Sequence, residues 1–244
     1  MSHHLHRQID KLKNHLLALG DLVEQGVAAA FRSLEERDVD LARGVIEGDE
    51  TIDLMEIDIE EECLHTLALF QPVAFDLRYV TAMMKINNDL ERVADLAVNI
   101  ATQACEYCDQ PAVDFSQFQL LEQSRQVCSM LKKSLDALLG VDPDLADTVR
   151  YSDDIVDEIH RRNYTLVAQA ARENPERIES LISVLVVSRQ LERIADHAVN
   201  ISEDVIYMAR GDILRHARAR AAAKSRREPR QRVVPRIASS ADAP

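Results

Sequence analysis

The eleven residues Leu90-Glu91-Arg92-Val93-Ala94-Asp95-Leu96-Ala97-Val98-Asn99-Ile100 return at Leu191 to Ile201 with nine identities, at an offset of 101. Upstream, at an offset of 104, Asp40-Leu41-Ala42 falls on Asp144-Leu145-Ala146, Val45 on Val149, Asp49 on Asp153 and Asp53 on Asp157. Two matches in the same order, three residues apart in offset, mean a duplicated unit with a shorter connection in its second copy.

The unit reads as helical. Six Gly, seven Pro, no Trp and 4% aromatics make a poor recipe for a β-sandwich, whereas Leu, Ala, Glu, Asp and Arg dominate, as in helical bundles. From Ile9 the apolar positions run Leu12, Leu16, Leu19, Val23, Gly26 and Ala30, alternating steps of three and four, which predicts the seam of a packed helix over 6–36. Asp38 sits where an N-cap belongs, and a second helix is predicted from Val39 to Leu69, stopped by Gln71-Pro72. A third runs from Val73 to Cys108. Leu121, Ser124, Cys128, Leu131, Leu135 and Leu138 then form the seam of helix 4, with Gly140 as its stop. Asp142-Pro143 opens helix 5, which reaches Glu173, and Pro175 opens helix 6, which reaches Arg210. Three helices joined by short links favour antiparallel neighbours. The expected fold is all-α, six long helices in two pseudo-symmetric antiparallel three-helix bundles. Residues 1–110 form the first, 111–212 the second, and 213–244 a basic tail expected to be disordered.

Charge is divided unevenly. Residues 211–244 hold nine Lys/Arg and three Asp/Glu, so 1–210 carry 20 minus 39, or −19, of the total −13. An acidic body repels nucleic acid and attracts cations. No apolar run follows a basic N-terminal segment, and the longest apolar stretch, around Leu181 to Val187, is far too short to span a bilayer. Neither nucleic-acid binding nor membrane insertion is expected. Four cysteines, Cys63, Cys105, Cys108 and Cys128, do not make a disulfide scaffold and fit a reducing cytoplasm.

Residues i, i+4 and i+8 of a helix project along one stripe, so Glu91, Asp95 and Asn99 align, as do Glu192, Asp196 and Asn200. Asp49 and Asp53, continued by Glu56 and Glu60, make a stripe on helix 2, and Asp153 with Asp157 is its counterpart on helix 5. Packed side by side, these stripes would gather oxygen ligands suited to Mg, Mn or Fe. Two carboxylates about 5 Å apart repel by roughly 3 kcal/mol at an effective dielectric near 20, a cost that a cation removes and that Arg92 or Arg193 would partly offset. The same residues also read as a solvated, charge-laced face. Cys105-x-x-Cys108, Glu62-x-x-His65 and His160 are weaker candidates, each without a second copy of its motif. No phosphate loop, dinucleotide turn or nucleophile elbow is present, so no catalytic residue is predicted. A metal-dependent oxidase or hydrolase on a helical bundle is the alternative.

The duplicated L-E-R-x-A-D-x-A-V-N-I strings, the Gly48-Asp49-x-x-Ile52-Asp53 segment and the Ala68-Leu69-x-Gln71-Pro72-Val73-Ala74-x-Asp76-Leu77-Arg78 junction resemble the PhoU family of phosphate-signalling regulators. The resemblance spans residues 6–211. It implies two three-helix bundles with E/D-x-x-x-D/N motifs that bind multinuclear metal clusters in some members. Those motifs map onto Asp49, Asp53, Glu91, Asp95 and Asn99, and onto Asp153, Asp157, Glu192, Asp196 and Asn200. It further implies a cytoplasmic, non-enzymatic negative regulator of phosphate uptake and starvation signalling. Such a protein acts as an adaptor between the ATPase subunit of the high-affinity phosphate ABC transporter and a sensor histidine kinase. Metal ions of the Fe, Mn, Mg or Zn kind and a homodimer are expected with it. Arg161 and Arg162 depart from the family's acids on helix 5.

Overall fold

The computed structural model describes residues 2–108 and 110–211, and among these the chain forms six long α-helices and no strand. They are α1 (Ser2–Glu36), α2 (Val39–Phe70), α3 (Ala74–Tyr107), α4 (Leu120–Gly140), α5 (Pro143–Glu173) and α6 (Ile178–Arg210). Short 3-10 turns occupy Phe115–Phe118 and Pro175–Arg177. No described helix is long and apolar enough to cross a membrane. The tail expected over 213–244 lies outside the described residues.

The sequence spacing decides which face of each helix is dry. Helix α1 buries Leu12, Leu16, Leu19, Val23, Val27, Ala30 and Leu34. Adding 104 to Leu16, Val23, Val27 and Leu34 gives Leu120, Val127, Leu131 and Leu138 on α4, all buried in turn. The register found in α2 and α5 therefore extends through both turns. This corrects the seam expected for helix 4: Leu121 and Cys128 are half-buried, and the fully covered residues are their neighbours Leu120 and Val127. Gly26, expected in the seam of α1, is only half-buried as well.

Two matching turns join the first helices of each repeat. Arg37 (φ 55°) and Val141 (φ 49°) adopt the left-handed conformation one residue before Asp38 and Asp142. The Asp38 N–H bonds back to Ser33 O and the Asp142 N–H to Ala137 O, each at 2.9 Å, so the last carbonyls of α1 and α4 are satisfied. Both aspartates then cap the next helix. Asp38 accepts from the Leu41 N–H, and Asp142 from the N–H groups of Asp144 and Leu145. Gly140 is thus the last helical residue, and the stop is made by Val141 because Asp142 must turn at once to cap α5. Pro175 likewise opens a 3-10 turn, and α6 begins after it at Ile178.

Helices α1, α2 and α3 pack on one another, as do α4, α5 and α6; α3 also packs along α6, and α1 touches α4. All six belong to one compact unit. Gly20 lets α1 approach α4, since a Cβ there would stand 2.9 Å from Leu135 Cδ2. The link between the repeats is pinned by Arg37, whose guanidinium donates to Tyr107 O, Cys108 O and Gln110 O while lying 4.8 Å from the Tyr107 ring centre. A cation at the C-terminal end of α3 satisfies its last carbonyls and opposes its dipole.

Leu90 and its counterpart Leu191 are wholly buried where α3 and α6 enter the core. Truncation of either to Ala is expected to lower unfolding stability by about 2–5 kcal/mol in urea titrations, with both repeats melting in one transition.

Candidate functional site

Each acidic stripe is built by two neighbouring helices. In the first repeat, α2 presents Asp49, Asp53, Glu56 and Glu60, and α3 presents Glu91 and Asp95. They share one electrostatic field. Burial pushes the Asp49 carboxyl above its ordinary value, and the charges of Asp53 and Asp95 push it further. Glu56 is raised by burial and then by Glu60 and Asp53. Glu91 is raised by burial and by Asp95, is partly relieved by Arg92, and is raised again by Glu56 and Asp53. The two helices are tied beside these acids by Asn87, whose Nδ2 donates to Glu56 O at 2.9 Å and Glu56 Oε1 at 3.2 Å. Asn99, the third member of the α3 stripe, is exposed.

The second repeat repeats the arrangement with different supports. Burial raises Glu192, Arg189 relieves it, and Asp157 and Asp153 raise it further. Asp196 is raised by burial, then by Glu192 and Asp157. Arg92 pairs with Glu91 at 3.4 Å and Asp95 at 3.3 Å, as its position suggested. In the second stripe that work falls first to Arg189, 3.0 Å from Glu192 Oε1, with a smaller electrostatic contribution from the exposed Arg193. Asn200 is committed elsewhere: its Nδ2 donates across the α3–α6 seam to Asp89 Oδ1 at 3.3 Å, beside the His197–Asp89 pair at 2.8 Å. Arg161 and Arg162 pair with Glu158.

The oxygens that a cation would use are not all occupied. Glu91 Oε2 and Glu192 Oε2, on equivalent residues of the two repeats, are both buried and accept no hydrogen bond, although Arg92 Nε stands 3.4 Å from the first. Burying a carboxylate oxygen without a hydrogen bond costs it hydration, a cost that Arg92 offsets in part at Glu91. Among the described residues, no three His, Cys, Asp or Glu side chains form a group that could hold a metal ion as they stand. The donor set is nonetheless all oxygen, suited to hard or borderline cations.

Of the weaker candidates, His160 feels a stripe, through the charges of Arg189 and Asp157. Glu62 pairs with Lys11 and His15 across to α1, while His65 is exposed. His160 directs Nδ1 at Ser188 Oγ, 2.9 Å away, in a polar network with Gln123 and Asn163 that no spacing rule singled out. All four cysteines are free thiols. Burial pushes the Cys63 thiol up to about 12 and raises Cys128 as well, the opposite of an activated nucleophile.

The raised carboxyls have a pH consequence. Glu192 holds its proton more tightly when folded than when unfolded, so its contribution to stability is present at low pH. That contribution is lost as pH rises from the ordinary carboxylate range through the raised folded value. In metal-free buffer, Glu192→Gln is expected to melt at or above the wild-type temperature at pH 7 and to show a flatter dependence between about pH 4 and 7. Thermal melts across that range check it.

Comparison with known proteins agrees with this architecture. The PhoU domain family model matches residues 16–104 and again 120–205. A phosphate-specific transport system accessory protein PhoU homolog of Pseudomonas putida is 39% identical over 220 residues, covering 88% of this chain and 86% of its own. The PhoU accessory protein of Escherichia coli K12 is 32% identical over 209 residues, covering 86% of each. The crystal structure of PhoU from Pseudomonas aeruginosa superposes with a TM-score of 0.81 at 36% identity, covering 85% of this chain and 99% of that one. A PhoU regulatory protein of the phosphate transport system from Streptococcus pneumoniae gives 0.78 at 27% identity, covering 86% and 98%. With both repeats matched and the fold shared along their length, this chain belongs to the PhoU family.

Proposed function

We propose that this protein is a non-enzymatic adaptor that restrains phosphate uptake and phosphate-starvation signalling. In this reading it works in the cytoplasm between the ATPase subunit of a high-affinity phosphate transporter and a sensor histidine kinase, and carries divalent metal on its acidic stripes. The observation that supports the metal component most is that two buried carboxylate oxygens on equivalent residues of the two repeats, Glu91 Oε2 and Glu192 Oε2, accept no hydrogen bond. Asp49, Asp53, Glu91 and Asp95 would hold ions in the first repeat, with Asn99 at the end of the stripe. Asp153, Asp157, Glu192 and Asp196 would hold them in the second, with Asn200 released from Asp89. A bound ion supplies positive charge that cancels carboxylate repulsion and braces α2 on α3 and α5 on α6. The regulatory component is supported by relatives named as accessory proteins of phosphate-specific transport.

The two components are tested separately. Deleting the gene is expected to make phosphate uptake and the starvation response constitutive, and the purified full chain to capture the cognate transporter ATPase or sensor kinase. Unchanged uptake and signalling in the deletion strain would overturn the adaptor reading. Calorimetric titration with Mn2+ is expected to show binding that Glu91→Ala with Asp95→Ala weakens at least tenfold. Absence of any heat at millimolar Mn2+ would overturn the metal component alone.

A further inference from the structure

Three helical glycines of the first repeat have no packing reason to be glycine. A Cβ built at Gly26, Gly44 or Gly48 meets nothing within 4 Å, in contrast to Gly20 with its close approach to Leu135. Glycine inside a helix is destabilising relative to alanine, so each of the three costs stability that the fold does not use. The second repeat is an internal control. At the offset of 104, Gly26 corresponds to Met130, Gly44 to Thr148 and Gly48 to Ser152, and Met130 is buried. The same place therefore carries side chains in one copy and is bare in the other.

What the missing side chains leave is a groove of about 410 Å³ between α1 and α2, floored by α3. Its walls are apolar, among them Val23, Leu41, Val45, Ile52, Ala97 and Val98. Gly44 and Gly48 stand one turn apart on the same wall, so another backbone can come close there. Asp40 and Asp49 line it as well, about two and a half turns apart on α2. Helix α2 as a whole carries ten Asp/Glu against a single Arg, Arg43. Asp40 pairs loosely with Arg43 at 3.9 Å, whereas Asp49 makes no ion pair among the described residues and feels the charges of Asp53 and Asp95.

We infer that this groove is the docking site for a cationic amphipathic helix of a partner protein, its apolar face over Gly26, Gly44 and Gly48 and its Lys or Arg side chains at Asp40 and Asp49. This rests on the adaptor reading above and names the surface and the chemistry of the partner. Charge selects this occupant. A second copy of the chain would bring another α2 with ten acids onto the first, and an anionic lipid surface would meet a body of net charge −19 over residues 1–210. A helix set in an apolar groove and anchored at spaced positions is a recurrent recognition mode.

The test uses the full chain in metal-free buffer and a synthetic helical peptide with Leu at i, i+3, i+4 and i+7 spacing and Lys elsewhere. A second peptide carries Glu in place of Lys. The Lys peptide is expected to bind, with NMR shifts concentrated at Gly26, Gly44, Gly48 and Val98, and to weaken as salt is raised. The Glu peptide is expected not to bind. Gly44→Leu and Gly48→Leu fill the groove and are expected to raise the melting temperature while weakening the Lys peptide at least tenfold. That combination separates groove filling from misfolding. No binding by the Lys peptide, shifts centred elsewhere, or equal affinity in the filled variants would overturn the groove. So would self-association of the wild type that the filled variants abolish. These outcomes do not depend on capture of the transporter ATPase or kinase, so a failed groove and a failed adaptor are distinguishable.

Discussion

The structure depends on the seam where α3 runs along α6. Each of these helices is the central member of its repeat, apolar on more faces than two neighbours can cover, and each finds its remaining cover in the other. Burial of Leu90, Val93, Ala97 and Ile100 on α3, and of Leu191, Ile194, Ala198 and Ile201 on α6, follows from a string of residues that repeats almost unchanged. Each large side chain removed from water contributes roughly 1.5–3 kcal/mol. Because the hydrophobic stripe and the acidic stripe are interleaved on the same helices, firm seating of the first determines where the second points.

The acidic stripes show how a helical protein tolerates charge it does not neutralise. Arg92 and Arg189 each offset one stripe, yet Glu192 Oε2 stays beyond Arg189 and Glu91 Oε2 meets Arg92 Nε only at 3.4 Å, without a hydrogen bond. The carboxyls respond by holding their protons more tightly, as groups short of solvent and surrounded by like charges must. Helix α2 is the extreme case, with ten acids against one Arg and with Asp49 shared between the acidic stripe and the glycine-lined groove.

Much of this was legible in the chain itself because helices have a single strong period. The six helices, the capping roles of Asp38 and Asp142 and the alignment of Glu91 with Asp95 all follow from local spacing. The features that did not follow depend on neighbours distant in sequence. Leu120 and Leu121 are equally apolar, and the period of α4 alone does not show which is covered; matching α4 to α1 through the repeat does. Val141 takes a left-handed turn that glycine would favour, because the geometry is imposed by the cap that follows. The diversion of Asn200 to Asp89 and the emptiness around Gly26 are likewise tertiary facts with no periodic signature.

The contacts across the seam also record a history. In a symmetric association of two identical half-length chains, every contact of one residue with another across the axis would occur twice, once in each direction. Here Asp89 meets His197 and Asn200, and Lys85 meets Asp204, at 2.8 Å for the first pair and 3.2 Å for the last. Their positional equivalents are Gln190, Leu96, Asn99, Val186 and Gln103, so the reciprocal charged pairs do not exist. Covalent fusion of the halves released each side from having to fit itself. The asymmetry that resulted makes the two repeats chemically distinct along the surface they share, so a change in one is not equivalent to the matching change in the other.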